Sequence, residues 1–143
     1  MINKNIKLIR VQKKRKHIEF LYDLLTKKKF FISHKNIPSY EEHRIFVENH
    51  PYRIWFLIKF DNYNIGSIYL NNDNSIGINF LENFQHLIKE SLEIVLENYN
   101  PLPELKSIRN GSYHINIANG DLKLLHEIKK LNIKKLQTTY VLK

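Results

Sequence analysis

RIWFLIKFDNYNIGSIYLNNDNSIGINF, residues 53–80, reads as three short strands and two turns. Residues 53–60 are almost continuously apolar and aromatic, the pattern of a strand covered on both faces. Asp61, Asn62, Tyr63 and Asn64 form the first turn, and 65–70 is the return strand. Asn71, Asn72, Asp73 and Asn74 form the second turn, and 75–80 is the third strand of an antiparallel meander. A meander with so few polar positions needs helices on both faces.

The flanking sequence supplies them. Upstream, 6–11 (IKLIRV) reads as a strand, and 14–27 places Ile18, Leu21, Tyr22, Leu24 and Leu25 on one helical face. A loop through Ser33, His34 and Pro38 leads to a second helix, where Ser39 and Glu42 have capping-box spacing and Pro51 ends the run. Downstream, 84–98 shows helical spacing through Leu87, Ser91, Leu92, Val95 and Leu96. After Pro101 and Pro103 come a strand at 113–117, a helix at 121–131 and a last strand at 133–142. The order β-α-α-β-β-β-α-β-α-β predicts an α+β (mixed α/β) domain, with one mostly antiparallel sheet flanked by helices.

The 143 residues form a single domain, 1–143, with 43% apolar residues and no internal repeat, so global disorder is excluded. No apolar run is long enough to cross a bilayer, and the basic start has no apolar core or cleavage site, so a cytoplasmic protein without membrane partners is expected. The lack of cysteine removes disulfides, thiolate nucleophiles and Cys-ligated metal. No histidine pair has helical ligand spacing, so no metal site is expected.

The formal charge of +9 favours polyanionic partners. It comes from 18 Lys and only 5 Arg, beside 20 Ile, 17 Asn and a single Ala. That skew reads as compositional drift, because a dedicated nucleic-acid reader would be enriched in Arg. A nucleic-acid-binding domain therefore ranks third among the functions.

Several motifs, in order, carry a family resemblance: ISHKNIP (32–38), YEEH (40–43), VENHPYRIW (47–55), IGSIYL (65–70), IGI (76–78), NIAN (116–119) and QTTY (137–140). Over residues 32–142 the chain resembles the GCN5-related N-acetyltransferase (GNAT) superfamily, in the branch of amino-sugar acetyltransferases of surface-polysaccharide pathways. The resemblance implies a GNAT-like sheet, acetyl-CoA as cofactor and a small-molecule amine as acceptor, with a homodimer or protein partner as a further expectation. It implies that backbone at Ile78, Asn79 and Phe80 meets the thioester arm, and it adds Asn119 to the cofactor-binding set.

The family's pyrophosphate loop, Gln/Arg-x-x-Gly-x-Gly/Ala, maps from Gln85 and puts Ile88 and Glu90 where glycines are expected. A β-branched residue resists positive φ, and a carboxylate repels phosphate. In its place, Asn83 as a helix cap would aim the amides of Gln85 and His86 at an anion, with Lys89 adding charge. For proton transfer the resemblance points to His34 and Glu42 at the acceptor pocket and Tyr140 beside the leaving thiolate. Each has a structural alternative: a polar loop histidine, the partner of Ser39, and a packing residue on the last strand. Tyr52 and Trp55 read either as core or as an aromatic wall for a ring-shaped acceptor. The rival from another class is a catalytically inactive GNAT-fold module that has lost this mode of cofactor binding.

Overall fold

The computed structural model describes residues 5–30 and 36–143. Its elements are β1 (Ile6–Arg10), α1 (Arg15–Lys27), α2 (Tyr40–Glu48), β2 (Ile54–Phe60), β3 (Tyr63–Leu70), β4 (Ser75–Phe80), a 3-10 helix (Glu82–Leu87), α3 (Ile88–Asn98), β5 (His114–Ile115) and α4 (Leu122–Ile128). The sheet order is β1-β2-β3-β4-β5. Every pairing is antiparallel except β4 with β5, which is parallel.

β2 is buried from Ile54 to Ile58, and its alternation divides the core. Ile54, Phe56 and Ile58 point to one face with Ile68, Leu70, Ile76 and Phe80, and are covered by Leu87, Ile88, Leu92, Val95, Leu124 and Ile128. Trp55 and Leu57 point to the other face, under Ile18, Leu21 and Leu24 of α1 and Val47 of α2. No described helix is long and apolar enough to cross a membrane.

α2 starts as its sequence dictates. Ser39 Oγ accepts from the Glu42 amide at 3.2 Å, and the Glu42 carboxylate accepts from the Ser39 amide at 3.0 Å. Such a box stabilises a helix by about 1 kcal/mol. His43 then ties α2 to α1, its buried ring Nε2–H donating to the Ile18 carbonyl at 3.0 Å.

Burial holds the His43 imidazole below its ordinary value of 6.5, and burial does the same to His17 and His50. The unfolded chain therefore takes up these protons first. Their contribution is present above the unfolded value and is lost as pH falls. Denaturant titrations should show stability dropping from about pH 7 to about pH 5, with a shallower drop in His43→Gln. An equally steep drop in that variant would remove His43 from the account.

Three sequence expectations are corrected. The turn after β2 is tighter: Asp61 and Asn62 alone carry it, at φ of 49° and 72°, and β3 begins at Tyr63. The helix expected over 84–98 splits into the 3-10 turn and α3. The strand expected over 133–142 does not form, and Leu136, Tyr140, Val141 and Leu142 are exposed. Strand-forming residues need an edge to pair with, and β5, at two residues, offers almost none.

Candidate functional site

The gap between β4 and β5 is the feature with chemical potential. The two strands pair only at Ser75 with His114 and Ile76 with Ile115. Beyond Ile76, no described strand lines that side of β4. Which groups face the gap follows from strand alternation. The Asn74 carbonyl accepts from His114 N on the β5 side, whereas Ser75 O and Leu81 N bond residues on the β3 side. Alternate residues point the same way. Gly77 and Asn79 therefore turn their backbone groups to Tyr69 and Ser67 of β3. Ile78 and Phe80 present theirs to the gap. Of the expected trio, Ile78 and Phe80 have backbone free to meet a ligand, and Asn79 has its own committed to the sheet.

The segment that the resemblance maps to the pyrophosphate loop lies in two helical elements. The 3-10 helix runs directly into α3, and the Ile88 amide donates to the Gln85 carbonyl. Ile88 has ordinary helical dihedrals (φ −61°, ψ −48°) and its side chain is buried in the main core. The Ile88 amide is thus spent inside the chain, and Ile88 has none of the positive φ that a glycine would supply there. Asn83 lies within the 3-10 helix and caps nothing; the capping position is Leu81, without a side-chain bond. His86 is exposed. The Lys89 ammonium bonds Glu93 at 2.7 Å, and that bond raises its pKa.

Beside this turn lies a cleft of about 270 Å³ lined by Gln85, Leu122, Lys123, His126 and Glu127. Gln85 Oε1 and Glu127 Oε1 are both buried without a hydrogen-bond partner. At its margin the Glu82 carboxylate receives Lys123 Nζ at 2.7 Å and Lys29 Nζ at 3.2 Å, from opposite ends of the sequence. Those bonds, Lys123 first, hold its pKa below the ordinary value. Glu82 and its two lysines escaped the sequence reading because residues so far apart leave no local signal.

Two of the three proposed proton-transfer residues, Glu42 and Tyr140, lie among the described residues. His34 lies outside the described residues. Glu42 is exposed and engaged as the α2 cap, and the bonds to Ser39 lower its pKa, the opposite of what a general base needs. Tyr140 is 81% exposed on a segment that joins no strand, not on the last strand where it was expected. Asn119 is exposed in the turn before α4.

On the α1/α2 face, Tyr52 stacks on Tyr69 with ring centroids 3.9 Å apart, and Trp55 Nε1–H donates to Ser67 Oγ at 2.7 Å. Trp55 is core. The Tyr69 ring lies against Gly77 so closely that a Cβ there would fall 1.9 Å from it. A glycine inside a β-branched strand was the available signal for this stack.

No family model matches the sequence, and no curated protein does. Solved structures do match. A domain from Methanocaldococcus jannaschii DSM 2661 superposes with a TM-score of 0.71 at 18% identity, covering 94% of this chain and 91% of that one. RimL, the ribosomal L7/L12 alpha-N-protein acetyltransferase, solved in complex with coenzyme A, superposes with a TM-score of 0.55 at 20% identity. That match covers 69% of this chain and 66% of RimL. The fold is GNAT-like. At these identities the GNAT-like likeness fixes the scaffold and leaves the chemistry to the site.

Proposed function

We propose that this GNAT-like chain is an N-acyltransferase that moves an acetyl group from acetyl-CoA to a primary amine, with an amino sugar as the acceptor class. The observation that carries the reading is the open edge of β4, where Ile78 and Phe80 present unpaired amides and carbonyls. An extended thioester arm with its own amides can add to that edge as a short strand would. A backbone N–H on the edge can also donate to the thioester oxygen as negative charge develops there. The neutral amine attacks the carbonyl carbon; the C–N bond forms, the C–S bond breaks, the thiolate leaves, and the proton lost by nitrogen passes to solvent or to the thiolate.

The rival, a GNAT-fold binding module without catalysis, is favoured by a specific observation: at the start of α3 the Ile88 side chain is buried in the core and its amide is spent on the Gln85 carbonyl. The two readings separate in one assay. The chain has no cysteine, so a thiol-trapping reagent reads released CoA without protein background. Thiol release that depends on an added amine, amino sugars included, supports the transferase. A raised melting temperature with acetyl-CoA but no amine-dependent thiol establishes the silent module.

A further inference from the structure

The acyl-donor reading leaves the cofactor's charged end without its usual seat, because Ile88 and Glu90 stand where glycines are expected and the Ile88 amide is used within the chain. The structure holds another collection of cations nearby. Lys29 follows α1 and Lys123 lies in α4, and both converge on the single Glu82 carboxylate just past the open edge of β4. The chain around Lys29 is placed by contact: Phe30 Cε1 lies 3.4 Å from where a Cβ on Gly120 would stand, in the turn that leads to α4. All three ion-pair side chains are more than half exposed, at 67% for Lys29, 63% for Lys123 and 53% for Glu82. Ion pairs so exposed hold weakly and exchange partners readily.

We propose that Lys29 and Lys123 form the anion seat for the phosphates of the acyl donor, and that Glu82 is its internal occupant, displaced when those phosphates arrive. This rests on the acyl-donor reading. A single carboxylate competes poorly with a multiply charged phosphate for two ammonium groups. The neighbouring cleft, of about 270 Å³, would take the rest of the nucleotide. Lys123 is one of its walls, and Gln85 Oε1 and Glu127 Oε1 are buried acceptors lacking donors. An exocyclic amine and sugar hydroxyls supply such donors, and the Glu127 side chain is only 6% exposed. The seat replaces backbone amides at a helix start by side-chain charge from two distant segments.

Calorimetric titration of the full chain with acetyl-CoA and with S-acetylpantetheine, which lacks the nucleotide, tests this. Glu82→Gln removes the competitor and should tighten acetyl-CoA about fivefold or more, whereas Lys123→Gln should weaken it by about as much. S-acetylpantetheine should bind all three proteins within about twofold, and the acetyl-CoA differences should shrink as salt is raised. Glu104→Gln, the same charge change on an exposed loop, should leave acetyl-CoA affinity at the wild-type value. If S-acetylpantetheine binds but acetyl-CoA responds to neither variant, the seat is wrong and the arm reading stands. If neither ligand binds wild type or Glu82→Gln, both fall together.

Discussion

Replacing Asn74 by leucine should destabilise the protein by about 3–5 kcal/mol, among the largest effects of any single substitution here. Asn74 is fully buried at φ +70°, a backbone region that asparagine tolerates and leucine does not. Its Nδ2 donates to the Leu102 carbonyl at 2.9 Å and the Asn110 carbonyl at 2.7 Å, and its Oδ1 accepts from the Leu102 amide at 2.8 Å. Leucine would strand those backbone groups, at about 1–3 kcal/mol for each one left buried without a partner.

The position matters for the site as well. Asn74 stands where β4 meets β5, its own carbonyl accepting from His114 N at 3.1 Å, so it holds the loop after α3 and the start of the gap together. Asn74→Gly keeps the dihedral and loses the side-chain bonds, which isolates their share. Chemical denaturation monitored by circular dichroism would measure both. A loss below about 1 kcal/mol for Asn74→Leu would mean that the loop is held by other contacts.

Legibility in the sequence followed how local each signal was. The meander was readable because β2 is apolar through Ile54, Trp55, Phe56, Leu57 and Ile58, and because its turns are built of Asp and Asn. The α2 start was readable because Ser39 and Glu42 bond each other across one turn. The last strand was misread because Ile133, Leu136, Tyr140 and Val141 have strand character whether or not an edge awaits them. Ile88 and Glu90 were legible as departures from the family's glycine pattern because they follow Gln85 at fixed spacing. The proposed anion seat was not legible, because Lys29, Glu82 and Lys123 meet only through the fold. Nor could spacing show that Ile78 and Phe80, rather than Asn79, offer free backbone; that parity is set by the bonds of Asn74 and Ser75.

The second large effect is expected at that edge. An unpaired strand amide exchanges its hydrogen far faster than one bonded within a sheet. A ligand arm lying along β4 would bond the Ile78 and Phe80 groups and leave Gly77 and Asn79 as they are, already turned to β3. Protection should therefore alternate along the strand. That pattern is hard to produce by general stiffening, which would slow all four amides together.

Residue-resolved amide hydrogen exchange, with and without saturating acetyl-CoA, is the most direct measurement. Exchange at Ile78 and Phe80 should slow by about tenfold or more while Gly77 and Asn79 keep their rates. Unchanged rates at Ile78 and Phe80 with acetyl-CoA in excess would show that the open edge takes no acyl donor, and the transferase reading would fail with it.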